Sequence, residues 1–138
     1  MSMTHVTAVR NDQANLVVGN STTFTAGTNQ KIKLYSGTPP ANAAAALSGN
    51  AVVATISSVV WGAASGGVAT VTSSAADTNA VGGVATFFRI YKTAGADPAD
   101  CIDQGTVGTS GADMIINNTT ISAGATVTLN SGSYTAPP

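Results

Sequence analysis

The chain has 138 residues, of which 8% are charged, and a net charge of −1 at pH 7. This length is typical of one domain with its own core, so we expect residues 1–138 to form a single domain. The cations form no cluster, which argues against nucleic acid as a partner, because phosphate binding needs grouped Lys and Arg. Glu is absent and β-branched residues abound, a composition that favours strands over helices. The five cations are Arg10, Lys31, Lys33, Arg89 and Lys92.

From the sequence we expect neither secretion nor a membrane-spanning helix. Cys101 is the only cysteine, so no internal disulfide can form, and we expect synthesis in a reducing cytoplasm. The first residues lack a basic start followed by an apolar core, so we expect no secretory signal. Residues 43–71 carry no charge, but they are mostly small or polar, which is a poor match to a membrane-spanning helix.

One helix is predicted, over residues 4–18, within an N-terminal arm formed by residues 1–20. Thr4 is its predicted cap, and Gly19 and Asn20 are typical of a helix end. The pattern predicts that four apolar residues roughly share its buried face. These residues are Val6, Val9, Leu16 and Val17.

Short strands follow the helix. Residues 31–35 alternate, which predicts Ile32 and Leu34 inward and the lysines in water. A second strand covers residues 52–61. The motif GGVAT occurs at 66–70 and again at 82–86, which predicts an antiparallel pair of related strands unless the narrow composition alone explains the repeat.

The stretch 82–91 has the strongest strand character in the chain. One face carries Val84, Phe88 and Ile90, and the other carries Phe87 and Tyr91, so both faces hold large apolar groups. We therefore expect a central strand of a packed domain, with Phe88 buried.

Further strands are predicted at 101–107, 113–116, 120–122 and 125–130, separated by turns, and residues 131–138 are predicted to be a C-terminal tail. Seven or eight short strands with frequent turn signals predict a mainly β fold, a β-sandwich or jelly-roll-like domain with one short N-terminal helix.

Catalytic and metal-binding signals are weak, and we predict no catalytic, metal or cofactor site. His5 is the sole histidine, so neither a catalytic triad nor a histidine-rich metal site is expected. Cys101 is expected to be a buried small hydrophobe. Asp97, Asp100 and Asp103 are three apart and could hold calcium, but the spacing suits turn residues better.

Structural roles are also expected for several other polar and aromatic residues. Asp77 and Asp113 are expected at turns or strand ends. Trp61 and Tyr35 are expected in the core, although Tyr35, Trp61, Tyr91 and Tyr134 are the candidates for a sugar-binding platform.

Five stretches resemble a family of small tailed-bacteriophage virion proteins. They are KLYSGTPP at 33–40, WGAASGGVA at 61–69, ATFFRI at 85–90, GTVGTSGAD at 105–113 and NNTTI at 117–121. The resemblance covers nearly the whole chain, but these motifs are strand and turn signatures, so no functional residue is carried over. It implies a structural role on the virion, as a capsid decoration (cement) protein.

The resemblance further implies the major capsid protein and other copies of this chain as partners. The protein would be synthesised in the host cytoplasm and placed on the capsid surface. Independently of the resemblance, we expect the ends of the chain, residues 1–4 and 131–138, to reach neighbours by strand addition. A tail or tail-fibre component has similar composition and remains an alternative. A pilin or adhesin, a carbohydrate-binding module and an enzyme are further, weaker alternatives.

Overall fold

The computed structural model describes residues 5–18, 30–92 and 95–137. They form one helix and nine strands. The helix is α1 (Thr7–Val17), and the strands are β1 (Gln30–Tyr35), β2 (Val52–Trp61), β3 (Val68–Ala75), β4 (Gly83–Val84), β5 (Phe87–Tyr91), β6 (Cys101–Gly108), β7 (Met114–Ile116), β8 (Thr120–Ile121) and β9 (Leu129–Thr135). The prediction of a mainly β protein with one short N-terminal helix is confirmed.

Seven strands close into a barrel in the order β1-β2-β3-β9-β7-β6-β5, and β4 and β8 form a separate two-stranded ribbon. Neighbouring strands are antiparallel except β6 and β7, which are parallel. The prediction of two packed sheets is therefore replaced by a single curved sheet that returns on itself. β9 closes this sheet, so residues 131–135 are part of the barrel wall rather than of a C-terminal tail.

Two apolar clusters lie on the two sides of β5, whose five residues are all buried. Phe88 and Ile90 face the barrel interior with Ile32 and Leu34 of β1, as the alternation predicts. Burying each such side chain stabilises the fold by about 1.5–3 kcal/mol. The smaller cluster lies outside the barrel wall and consists of Tyr35, Phe87 and Tyr91, with Leu47, Val52 and Cys101 packed against it.

Two predictions about the GGVAT repeat and the central strand differ from the structure. β3 pairs with β2 and β9, whereas β4 pairs with β8, so the two copies of the motif are not partners. The predicted strand at 82–91 is interrupted after Val84, because Ala85 bonds to Thr119 and Thr86 bonds to Tyr35. Val84 consequently points to solvent, with 52% of its surface exposed.

Helix α1 packs on the barrel through polar side chains. The Asn11 carboxamide accepts the Gly67 amide hydrogen at 2.6 Å, and that of Asn15 accepts the Ala64 amide hydrogen at 2.8 Å. Ala14 is the buried residue of the helix. The predicted buried face is wrong, since Val6, Val9 and Leu16 are 69%, 40% and 43% exposed.

The limits of α1 also differ from the prediction. The helix begins at Thr7 with Val6 at the N-cap position, where no side chain caps it, and Val18 closes it through a bond to the Ala14 carbonyl. Residues 4, 19 and 20, predicted to cap and end the helix, lie outside the described residues.

Candidate functional site

A buried arginine organises the polar contacts outside the barrel wall. Arg89 has no solvent exposure, and its guanidinium donates to the Asp97 carboxylate at 2.6 Å. The same group also donates to the Gln104 side chain and to the carbonyls of Asn42 and Ala45. Arg89 therefore ties the 36–51 and 95–100 connections to β5 and β6.

Asp97 and two tyrosines extend this network into the smaller apolar cluster. The Tyr91 hydroxyl donates to Asp97 at 2.7 Å, and the Tyr35 and Tyr91 hydroxyls are 2.8 Å apart. Burial by itself would raise the pKa of Asp97, but hydrogen bonds from Tyr91 and Arg89 outweigh it and lower that pKa. Arg89, Asp97, Tyr91 and Tyr35 are all hydrogen-bonded within the described residues, as buried polar groups usually are.

A cleft of about 470 Å³ enters the barrel between β6 and β9, close to the end of α1. Its apolar walls include Trp61, Phe88, Ile90 and Met114. Its polar lining includes Asp103 from β6, Asp113 from the turn before β7, and Tyr134 from β9. The cleft exists because β6 and β9 are joined through β7, which is only three residues long.

The two carboxylates of the cleft bind amide hydrogens of β6. Asp103 Oδ1 accepts the Gln104 amide hydrogen at 2.8 Å, and Asp113 Oδ2 accepts both the amide and the hydroxyl hydrogen of Thr106 at 2.8 Å. Burial, followed by the negative charge of Asp113, raises the pKa of Asp103. The hydrogen bonds from Thr106 lower the pKa of Asp113. The pKa values of the two carboxyl groups are therefore shifted in opposite directions, although both groups line the same cleft.

The three aspartates that the sequence offered as metal ligands lie in three different environments. Asp97 binds Arg89, Asp100 accepts the Ala96 amide hydrogen, and Asp103 lines the cleft. Within residues 5–18, 30–92 and 95–137, no group of three or more metal-ligating side chains comes together. Asp77, predicted at a turn or strand end, binds the amides of Thr55 and Asn79.

The remaining candidates are distributed between core and surface. Trp61 and Tyr35 are buried, which confirms core packing, and the Trp61 indole donates to the Gln30 side chain at 3.0 Å. Cys101 is half-buried rather than fully buried, and burial raises the pKa of its thiol to about 11. His5 is exposed.

Sequence reasoning missed the pairing of Asp103 with Asp113 across the cleft, and it missed the buried Arg89. The two aspartates are ten positions apart, and nothing in their spacing indicates that β6 and β7 run parallel. The one available signal for Arg89 was its place between Phe88 and Ile90 in a strand with two apolar faces.

Exposed apolar side chains form two patches, one on α1 and one beside β4, and Val60 of β2 is a further exposed apolar residue. Val6, Val9 and Leu16 form one patch on the outward face of α1, here called the helix patch. Val81 and Val84 flank the ribbon glycines and form the other, here called the ribbon patch. A side chain at Gly82 would meet the Ala123 backbone at 2.7 Å, so the ribbon turn requires glycine there.

The ends of β2 show that these patches are far apart. Gly82 bonds to the Val53 carbonyl at the start of β2, whereas the α1 anchors Ala64 and Gly67 follow its end. β2 has ten residues, so at about 3.3 Å per residue its ends are up to about 30 Å apart, and the two patches lie near opposite ends of this strand.

In the part of the chain that the structure describes, no helix has the length and apolar character needed to cross a membrane. Comparisons with protein-family models, with curated proteins and with solved structures give no match for this chain.

Proposed function

We propose that this protein is a structural component of a tailed-phage virion, a capsid decoration (cement) protein that binds the outer capsid surface in many copies and stabilises the head. The proposal begins from the resemblance of five stretches between residues 33 and 121 to small virion proteins. The role is structural rather than catalytic, and the partners are the major capsid protein and neighbouring copies of this chain.

The observation that carries the proposal is the pair of apolar patches near opposite ends of β2. A protein that cements a lattice must contact at least two neighbours, and two separated patches permit this. Each patch is small, so each contact is weak, but repetition over a shell makes many weak contacts act together.

The energetic argument is linkage. A protein that binds only the assembled lattice stabilises it by RT ln(1 + [L]/Kd) per site, which is about 2.7 kcal/mol at a hundredfold excess over Kd. Both patches are apolar and the chain has few charges, so binding should depend little on salt.

This proposal does not rely on the two chain ends, which the sequence analysis expected to reach neighbouring molecules. Residues 131–135 pair with β3 and β7, so they are not free to add to a neighbouring sheet. Residues 1–4 lie outside the described residues. The contacts are therefore assigned to the helix and ribbon patches.

The test compares heated particles with and without the protein. One variant replaces Val9 and Leu16 with Glu, a second replaces Val81 and Val84 with Glu, and a control replaces the exposed Thr109 and Ser110 with Glu. We expect the first two to lose binding to particles or to lower their heat stability, and the control to retain both. Particles that lose the protein yet keep their heat stability would contradict cementing.

The tail or fibre alternative uses the same patches and is separated by location. Density for this protein on isolated tails, and none on heads, would favour it. A carbohydrate-binding module has less support, because Tyr35, Trp61 and Tyr91 are buried and do not form an exposed aromatic platform.

A further inference from the structure

The cleft between β6 and β9 presents carboxylate oxygens without partners. Asp103 accepts its bond through Oδ1, and Asp113 accepts both of its bonds through Oδ2. Asp103 Oδ2 and Asp113 Oδ1 have no hydrogen-bond partner among residues 5–18, 30–92 and 95–137. None of the described residues that line the cleft is cationic.

Asp103 lies in an unusual position for a carboxylate that has no cationic partner among the described residues. It pairs with Ile90 across β5 and β6, and partners across an antiparallel pair point to the same face, so its side chain shares the interior face with Ile90. Burial disfavours its charged form and raises its pKa, and the facing Asp113 adds to this effect. Tyr134, the other titratable group among the described residues that line the cleft, also has its pKa raised by burial. A cation in the cleft would relieve the cost of the Asp103 charge.

The walls specify the rest of the ligand. Phe88, Ile90 and Met114 offer apolar surface beside the carboxylates. The volume of about 470 Å³ lies within the range of small-ligand sites. An aliphatic chain that ends in a positive charge matches this arrangement, because its methylene groups can contact the walls while its charged end reaches the carboxylates.

We propose that this cleft binds an alkylammonium group, either of a free amine or of a lysine side chain of another polypeptide, with Asp103 and Asp113 as the anionic partners. The site lies close to the end of α1, but it includes none of the residues of the helix and ribbon patches, and the proposal does not depend on the virion role. A lysine would bring a polypeptide to this side of the barrel, and a free amine would make the cleft a small-molecule site.

The test is a titration of the isotopically labelled full chain followed by amide chemical shifts. The probes are n-pentylammonium, the neutral control n-pentanol, the peptide Gly-Ala-Lys-Ala-Gly and its norleucine counterpart. We expect saturable shifts at Gly105, Met114 and Tyr134 with the charged probes and weaker or no shifts with the neutral ones. Tighter binding of the peptide identifies a lysine side chain as the source, and tighter binding of the amine identifies a free amine.

Asp103→Asn is the matched variant, and Asp12→Asn, on the exposed side of α1, is its control. Asparagine keeps the oxygen that accepts the Gln104 amide hydrogen, so we expect an unchanged or higher melting temperature together with at least about tenfold weaker binding of the charged probes. A merely structural Asp103 would instead lower the melting temperature and leave binding unchanged.

The shift map of the unmutated protein tests the site even if a variant fails to fold. Equal shifts with pentanol and pentylammonium would overturn the assignment of a cationic ligand. Absence of saturable shifts with both charged probes at millimolar concentration would overturn the site itself.

Discussion

Arg89→Ala provides a direct test of the network outside the barrel wall. The substitution removes a fully buried cation and all five of its hydrogen bonds, which hold Asp97, Gln104 and the carbonyls of Asn42 and Ala45. Removing one partner of a buried pair costs about 3–5 kcal/mol, because the other charge loses its compensation. Asp97 is 19% exposed and keeps its bonds from Tyr91 and Leu47. We therefore expect Arg89→Ala to lower the free energy of unfolding by an amount at the lower end of this range, about 3 kcal/mol.

Urea denaturation followed by the fluorescence of the single tryptophan, Trp61, measures this loss. With a denaturant slope of about 1–3 kcal/mol per molar, a loss of about 3 kcal/mol moves the midpoint by about 1–3 M. Arg89→Lys keeps the charge but not the planar fork, so it should fall between the wild type and Arg89→Ala. Lys31→Met is the control, since it removes a cation from the adjacent strand β1 and should change the free energy of unfolding by less than about 0.5 kcal/mol. A loss under about 1 kcal/mol for Arg89→Ala would refute the reasoning.

Two further predictions concern the core and pH. Phe88→Ala should lower the free energy of unfolding by about 3–5 kcal/mol in the same assay, because Phe88 is buried in the barrel interior; a loss under about 1 kcal/mol would place it at the surface. The folded-state pKa of Asp97 is lowered, so its stabilising contribution is present above its ordinary pKa and is lost as pH falls below about 4. Asp97→Asn should flatten this acid limb in urea titrations at several pH values, and an unchanged limb would contradict the assignment.

Strand content could be predicted from the sequence because alternation and β-branched residues act locally. Ile32 and Leu34 face the interior, as the pattern indicates, and the structure confirms β1 and β2 within a residue or two. Closure into a barrel could not be predicted, since it depends on which strands meet. Local propensity carries little information about the pairing of β9 with β3 and β7.

The cleft and the buried arginine are also features that the sequence alone could not predict. Asp103 and Asp113 have the sequence character of turn residues, and only the parallel pairing of β6 with β7 brings them to one opening. Arg89 would be expected in water by composition alone, but the Asn42 and Ala45 carbonyls and Asp97 give it partners from two connections. Polar groups in this protein acquire their roles from tertiary contacts, which single-sequence patterns do not encode.

The attachment of α1 leads to the last prediction, because the side chains of Asn11 and Asn15 hold the helix while Val9 and Leu16 face outward. Asn11 and Asn15 accept the amide hydrogens of Gly67 and Ala64, and each such hydrogen bond contributes about 1 kcal/mol. We expect the double variant Asn11→Ala and Asn15→Ala to release the helix while the barrel remains folded, since the strand pairings do not involve these side chains.

Hydrogen exchange measures the release directly. The amides of Gly67 and Ala64 should exchange about five- to thirtyfold faster in the double variant, as a loss of about 1–2 kcal/mol implies, whereas the β5 amides should keep their rates. Gln13→Ala, a substitution on the same helix in which no hydrogen bond to Gln13 Oε1 is lost, should leave the exchange at Gly67 and Ala64 unchanged. If all amides accelerate together, the helix is an integral part of the cooperative unit, and its outward apolar face cannot move independently of the barrel when it binds a neighbour.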